Sequence, residues 1–370
     1  MLISTQSKNM AIMDRNSGGG LDFDCTVENF CLDFSYSSSV QTQIEYCQNE
    51  DASFSFQKLS DGSITTTLGG KKAAEGSNIF SINSGMVEII HSNQNGIETN
   101  NNWPFTAGIL GLSPDSLFFQ YLISSIEFQH NNSEHYFLID LEYTKGPNGY
   151  TNNCYCTTDF EGKLTLGHTT MDLNQPEFWT EAKQSSYSFP NSLFGVKDGD
   201  NSIIGTVPDG KLCIVSDMKN LFIMHKDANL INKGIAHLAC RNDDIEDCRF
   251  ETAEDLFKNL PFFYIRVYDN ENTKDKETKT KTYEIDPRDF LNVDDQGWLR
   301  STIATSGYNT QQNDLSGLYG CPDGTAMIVG NKFLTSYSLA IKIGMSDAND
   351  PTTAIIYFGV KNLRQDQIPI

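Results

Sequence analysis

Short runs of β-branched and aromatic residues, each bounded by turn residues, are the feature that most constrains the fold of this chain. Clear examples span residues 86–90, 136–141, 163–166, 262–267 and 354–358. Runs of this length and composition predict strands. Helical patterns are few and short, with candidates at 117–126 and 252–258 and a turn at 333–337. The pattern therefore predicts an all-β fold class, either a sandwich or packed barrels.

Length and charge exclude several classes of function. The chain has 370 residues, which is enough for two domains of ordinary size. Its 48 acidic residues against 27 basic ones give a formal net charge of −21. That balance opposes a phosphate-binding surface, so we expect no nucleic-acid partner. No apolar run approaches the roughly 18 residues that a membrane helix needs, and we expect no transmembrane segment.

Cysteine usage bears on metal binding and on the cellular compartment. The chain has nine cysteines, at positions 25, 31, 47, 154, 156, 213, 240, 248 and 321. None forms a CxxC pair, and the six histidines lack ligand spacing, so neither a metal site nor a cofactor is predicted. Structural disulfides in an oxidising compartment are favoured over reduced thiols. In such a compartment Asn131, which begins an Asn-Asn-Ser sequon, is a glycosylation candidate.

A more specific signal begins at residues 103–112, which have the sequence WPFTAGILGL. They are followed by the helix-like segment 117–122. Further matches to one family follow in order: 136–141 (YFLIDL) with FS-x-YL, 162–167 (GKLTLG) with G-x-L-x-LGG, 260–261 (LP) with LP-x-I-x-F, 285–290 (IDPRDF) with L-x-P-x-x-Y, 327–334 (MIVGNKFL) with WILGD-x-F-L and 356–359 (IYFG) with x-VGFA. Over residues 4 to 362 the chain thus resembles the pepsin-like aspartic peptidases.

The resemblance implies a two-lobed, pepsin-like (acid protease) fold with a central cleft and few short helices. We place the lobes at residues 1–165 and 166–370. Each lobe of such a peptidase offers one catalytic aspartate in a D-[TS]-G turn. The ionised aspartate activates a water, and the protonated one polarises the scissile carbonyl.

The two catalytic turns depart from the family's pattern. Asp14 matches the first aspartate, but Arg15 and Asn16 replace the Thr and Gly that should follow. At the second turn, Ser216 stands at the aspartate position, and Asp217 follows one residue out of place. A one-residue displacement in extended chain points a side chain to the opposite face.

The flap departs as well. The predicted hairpin at 54–68 carries Asp61 and Gly62, which resemble the family's flap tip, but Leu59 stands where a tyrosine is expected. Scaffold motifs therefore survive, whereas the positions that carry the chemistry have changed.

These departures predict a non-catalytic protein that acts as a structural or binding component of an extracellular or endomembrane assembly, with other protein chains as partners. One alternative is an active aspartic endopeptidase that uses Asp14 with the displaced Asp217. A second is a receptor that holds a peptide or glycan in the inactive cleft.

The resemblance also implies a pattern of disulfides and an additional strand. Cys25 is expected to bridge Cys31, and Cys321 is expected to bridge Cys240 or Cys248. Residues 4–13 are expected to fill the strand before the first turn. The opening sequence lacks a signal-peptide pattern. Further N-terminal sequence, or a strand from a neighbouring chain, is therefore expected beside the first lobe's sheet.

Overall fold

The computed structural model describes the residues 2–6, 8, 10–13, 44–49, 52–58, 64–68, 80–84, 88–91, 108–116, 118–120, 123, 137–145, 160–168, 176, 178–183, 186–197, 203–216, 221–240, 248–249, 262–268, 279–285, 290–294, 296–306, 315, 320–345 and 354–362. In this part of the chain strands account for 55% of residues and helices for 17%, which confirms the predicted all-β content. The finer pepsin-like assignment stays a proposal.

The chain forms two compact units. The first comprises Met1–Glu134, Lys145–Glu161 and Met345–Ala354. The second comprises His135–Thr144, Gly162–Gly344 and Ile355–Ile370. The lobe boundary at residue 165 stays a prediction.

The first unit contains strands β1 to β8. Their bounds are β1 Leu2–Ser4, β2 Met10–Met13, β3 Ile44–Asn49, β4 Ala52–Lys58, β5 Ile64–Leu68, β6 Phe80–Ser84, β7 Glu88–His91 and β8 Gly108–Gly111. Six of these strands form one sheet in the order β1-β8-β2-β7-β4-β3. The other two, β5 and β6, pair with each other.

The second unit contains all or most of each remaining strand, together with two helices. The strands are β9 Phe137–Lys145, β10 Phe160–His168, β11 Thr180–Glu181, β12 Tyr187–Lys197, β13 Ile203–Ile214, β14 Phe222–Met224, β15 Phe262–Tyr268, β16 Thr280–Ile285, β17 Leu291–Val293, β18 Leu299–Ser301, β19 Ala304–Ser306, β20 Thr325–Val329, β21 Tyr337–Met345 and β22 Ala354–Asn362. The helices are α1 His225–Cys240 and α2 Asn331–Leu334.

Three sheets form in the second unit. A seven-stranded sheet has the order β16-β15-β12-β13-β20-β14-β19. A five-stranded sheet has the order β10-β9-β21-β22-β11, and β17 pairs with β18. The strands at 137–145, 160–168, 262–268 and 354–362 confirm four of the runs predicted from the sequence, and β7 confirms the fifth with a shift of one or two residues.

Both units contain the same four-strand motif. Its first copy is β1-β8-β2-β7 and its second copy is β13-β20-β14-β19. Along each copy the three pairings are parallel, antiparallel and parallel. A two-stranded antiparallel sheet directly precedes the last strand of each copy, β5-β6 before β7 and β17-β18 before β19.

The N-terminal segment corrects one expectation. Residues 4–13 do not form a single strand, because β1 ends at Ser4 and β2 begins at Met10. The side-chain oxygen of Ser4 accepts a hydrogen bond from the Gln6 amide at 3.3 Å. Such a local bond turns the backbone away from a ladder, which explains the break.

The helix α1 corrects a second expectation, since its 16 residues exceed the few short helices that the sequence predicted. Its buried residues Ala228, Ile231, Ile235 and Ala236 follow a helical period and face the core. The first turn carries Asp227, whose negative charge is favourable at a helix N-terminus. At the other candidates, residues 118–120 and 123 are helical, residues 331–334 form α2, and 252–258 lie outside the described residues.

The predicted flap hairpin at 54–68 is wrong. The strands on either side of Leu59, Asp61 and Gly62 do not pair with each other. Strand β4 pairs with β3 and β7, whereas β5 pairs with β6. The two described strands that would form the hairpin therefore belong to different sheets.

The core of the second unit is aromatic. Phe263 packs against Phe194 and Phe290, with ring centroids 6.0 and 5.3 Å apart. Phe358 packs against Phe189, with ring centroids 4.9 Å apart. Both Phe263 and its neighbour Tyr264 are buried, so β15 is covered on both faces. Strand β15 belongs to the same seven-stranded sheet as the second copy of the four-strand motif, so this core packs beside that copy.

Candidate functional site

Ser216 lies just beyond the end of strand β13, in the second copy of the four-strand motif. Strand β13 is held between β12 and β20. The amide of Val215 donates a hydrogen bond to the carbonyl of Val329 on β20 at 2.9 Å, which extends the pairing up to Ser216. The side chain of Ser216 is buried, with 1% of its surface exposed. Paired strands therefore fix the position of this hydroxyl.

An apolar cluster surrounds the end of β13. Its members are Cys213, Val215, Met224, Leu315, Cys321 and Ile328. An isolated carboxylate is costly in surroundings of low dielectric, because desolvation disfavours its charged form. A serine hydroxyl is neutral and needs no countercharge, so Ser216 fits where an unpaired aspartate would be strongly disfavoured.

A disulfide joins β13, the strand before Ser216, to the segment that precedes β20. Cys213 bonds Cys321, and their Cα atoms are 6.0 Å apart. Cys240 bonds Cys248 with a Cα separation of 5.4 Å. The expected bridge from Cys321 to Cys240 or Cys248 is therefore wrong. The physical reason is that Cys213 and Cys321 belong to the same buried cluster, on a strand paired with β20 and in the segment that leads into β20.

A largely apolar pocket lies beside the end of β20. Its walls include Leu221 before β14, Val329 and Gly330 at the end of β20, and Phe333 on α2. Lys332, of which only 9% is exposed, also lines the pocket. The pocket offers apolar contact to a small side chain and brings no carboxylate to the end of β13.

Most of the other predicted site residues lie outside the described residues. These are Asp14, Asp217, Leu59, Asp61, Gly62, Cys25, Cys31 and Asn131. Their roles stay predictions. The structure thus places Ser216 and the two second-unit disulfides.

Perturbed pKa values occur on other elements of the second unit. Hydrogen bonding from the Trp298 amide, aided by the Gln296 amide and by Arg300, holds the pKa of Asp294 below its ordinary value. Desolvation lowers the pKa of Lys342, whose amine lies 4.9 Å from the ring centre of Trp179. Both sites are explained by packing and turn geometry, and neither supplies an acid–base pair.

Two further findings concern metals and membranes. Among the residues that the structure describes, no group of three or more His, Cys, Asp or Glu side chains could hold a metal ion. Within the same ranges, the helices are too short or too polar to span a bilayer.

Comparison with known proteins adds no further assignment. No family model matches the chain, and no curated protein matches it. The resemblance to pepsin-like peptidases therefore depends on its ordered motifs alone.

Proposed function

We propose that this chain is a pepsin-like protein that does not hydrolyse peptide bonds and acts as a structural or binding component of an extracellular or endomembrane assembly. The observation that carries the proposal is Ser216. Its buried hydroxyl lies at the end of β13, where the resemblance requires the second catalytic carboxylate.

The chemistry of a hydroxyl explains the loss of activity. Peptide hydrolysis by an aspartate pair needs one ionised carboxylate to take a proton from water and one protonated carboxyl to donate to the carbonyl. A serine hydroxyl stays neutral across the acidic range and cannot act as that base. One aspartate alone, such as Asp14, cannot replace the shared proton of a pair.

The displaced Asp217 is a poor substitute for a carboxylate at position 216. Its carboxylate stands one position after the place where the resemblance requires it, and that place, Ser216, is buried in a turn beyond β13. The next residue, Met218, also replaces the glycine that a D-[TS]-G turn needs. The displaced carboxylate and the replaced glycine therefore both argue against an active pair of Asp14 and Asp217.

The two disulfides support the proposed compartment. Structural disulfides persist in the secretory pathway and outside the cell and are rare in the cytosol. The bridges Cys213–Cys321 and Cys240–Cys248 both lie in the second unit, and three of the four cysteines are buried. They therefore serve folding rather than exposed thiol chemistry.

Hydrolysis of a denatured protein substrate between pH 3 and 5 tests the proposal. The oxidised full-length chain should show no cleavage that pepstatin inhibits, because the second carboxylate is missing. Asp14→Ala and Asp217→Asn are the matched controls, and both should leave the background rate unchanged. Pepstatin-sensitive cleavage that Asp14→Ala or Asp217→Asn abolishes would overturn the proposal and establish an atypical aspartic endopeptidase.

A further inference from the structure

In the first copy of the four-strand motif, a single residue of β8 links the two strands that flank it. Ile109 is paired with Leu2 of β1 in the parallel direction. It is also paired with Ala11 of β2 in the antiparallel direction. Leu2 and Ala11 are nine positions apart in the sequence, and this spacing fixes where the connecting residues fall.

The second copy has the same arrangement around Ile328 of β20. This residue is paired with Cys213 of β13 in the parallel direction and with Phe222 of β14 in the antiparallel direction. Cys213 and Phe222 are also nine positions apart. The connection between the two flanking strands therefore has the same length in both copies, with no insertion or deletion.

The last strand of each copy agrees with this register. Ala11, Ile12 and Met13 are paired with three successive residues of β7. Phe222, Ile223 and Met224 are paired with three successive residues of β19. All three pairings of the motif therefore align residue 2 with residue 213 and residue 13 with residue 224.

The amino-acid sequence supports this alignment independently. Residues 2–13 have the sequence LISTQSKNMAIM, and residues 213–224 have the sequence CIVSDMKNLFIM. Five of the twelve aligned positions are identical, whereas chance would give about one. The shared residues are Ile3/Ile214, Lys8/Lys219, Asn9/Asn220, Ile12/Ile223 and Met13/Met224.

We infer that Thr5 is the counterpart of Ser216, and that Thr5, not Asp14, occupies the first of the two positions at which a pepsin-like protein carries its catalytic carboxylates. Thr5 is fully buried and Ser216 is 1% exposed. Thr5 comes directly after β1, which is paired in parallel with β8. Ser216 comes two residues after β13, which is paired in parallel with β20, and the intervening Val215 amide still donates a hydrogen bond to Val329. Asp14 aligns with His225, which lies beyond the motif.

The catalytic meaning of this equivalence rests on the proposed function. If the chain is pepsin-like, each of its two dyad positions holds a hydroxyl. The two following positions, Gln6-Ser7 and Asp217-Met218, also lack the Thr-Gly or Ser-Gly of the family's turn. Loss of the chemistry is then symmetric, and Asp14 is not the remnant of the first carboxylate.

Rebuilding both turns tests the assignment. In one variant, Thr5→Asp, Gln6→Thr and Ser7→Gly are combined with Ser216→Asp, Asp217→Thr and Met218→Gly. The control variant keeps the same second turn but rebuilds the first around Asp14, with Arg15→Thr and Asn16→Gly. We expect pepstatin to raise the thermal midpoint of the Thr5-based variant and to leave that of the Asp14-based variant unchanged.

The outcomes separate this inference from the proposed function. Stabilisation of the Asp14-based variant by pepstatin, or of neither variant, overturns the assignment of Thr5. The proposed function fails only if the unmodified chain hydrolyses peptides, which is measured separately. Activity of the rebuilt variants at pH 3–5 is a secondary readout and is expected only where pepstatin binds.

An experimental structure of the unmodified chain covers the case in which carboxylates at these buried positions prevent folding. Superposition of β8, β2 and β7 on β20, β14 and β19 should bring the Cα atom of Thr5 onto that of Ser216. A superposition that brings Asp14 onto Ser216 overturns the inference.

Discussion

The two copies of the four-strand motif share strand order and register, yet they differ in what surrounds them. In the first copy β1 has three residues and, among the described strands, pairs only with β8. In the second copy β13 has 12 residues. On its other side it pairs with β12, and the sheet extends from there to β15 and β16. The second copy also carries the Cys213–Cys321 disulfide, whereas Leu2 occupies the position of Cys213 in the first.

This difference shows what sets the register. Within the residues that the structure describes, the first copy keeps the same pairing with no disulfide on its strands and no antiparallel strand beside β1. The pairing around Ile109 and Ile328 must therefore be specified by the strands and by the length of their connection. The disulfide and the additional strands add stability to the second copy, and we expect them to be separable from its register.

Removal of the Cys213–Cys321 disulfide should give the largest effect. The bridge closes a segment with a sequence separation of 108, and Cys240–Cys248 closes one of 8. Chain entropy predicts a loss of about 4.7 kcal/mol for a loop of about 100 residues and about 2.5 kcal/mol for the short one. Cys213→Ala/Cys321→Ala is thus expected to destabilise the chain more than Cys240→Ala/Cys248→Ala, as measured by urea unfolding without reductant.

The double substitutions avoid free thiols, and alanine adds no polar group at buried sites. Equal losses for the two pairs would show that the long bridge does not brace the second copy. If the register is independent of the bridge, the variant without Cys213 and Cys321 should still fold, with the same strand content by circular dichroism.

A glycine in β13 provides the second test. A side-chain carbon at Gly210 would collide with the Cβ atom of Ala326 on β20. Overpacking of this kind costs about 1–3 kcal/mol. Gly210→Ala should therefore lower the free energy of unfolding by that amount, and Gly210→Ala/Ala326→Gly should recover most of it.

Gly210 lies beyond the stretch of β13 that β1 matches, so this contact exists in the second copy alone. Gly359→Ala, on β22, is a control outside the motif, since its added carbon would lie 2.8 Å from the carbonyl of Phe178. Ala326→Gly should not rescue that variant. Rescue of both variants would mean that Ala326→Gly acts globally and that the contact with Gly210 is not the cause.

The sequence predicts the strands well because their signal is local. The apolar residues of β15 and β22 identify both strands without tertiary information. Helix α1 was missed although Ile231 and Ile235 follow a helical period. Its pattern includes Gly234 and many polar residues, which weaken a helix prediction.

The disulfide pairing, the burial of Ser216 and the register of the first copy depend on tertiary contacts, which the sequence alone does not show. Cys213 and Cys321 meet only because β13 pairs with β20, and nothing local in either segment indicates this. Ser216 was located by alignment, but its burial follows from the packing of β13. The inferred equivalence of Thr5 and Ser216 is not visible in sequence motifs, because residues 5–7 carry no D-[TS]-G. The repeated pairing supplied that register.

The smallest expected effect concerns the two-stranded sheet that precedes the last strand of the second copy. Asp294 closes the turn between β17 and β18. Its Oδ1 atom accepts hydrogen bonds from the amides of Trp298 at 2.9 Å and Gln296 at 3.0 Å. Its Oδ2 atom accepts one from Nε of Arg300 at 3.1 Å. These bonds favour the ionised carboxylate and lower its pKa in the folded state.

Because the folded pKa of Asp294 is below the unfolded value, its contribution to stability is present above the unfolded pKa and is lost as the pH falls through the folded one. Asp294→Asn should therefore be less stable than the unmodified chain at neutral pH, and this difference should shrink below about pH 4. Thermal midpoints between pH 3 and 7 measure it. Salt should reduce only the part due to Arg300, since the amide bonds remain. If the difference in thermal midpoint stays constant across this range, the β17–β18 turn does not depend on the charge of Asp294. Other contacts would then have to stabilise this two-stranded sheet.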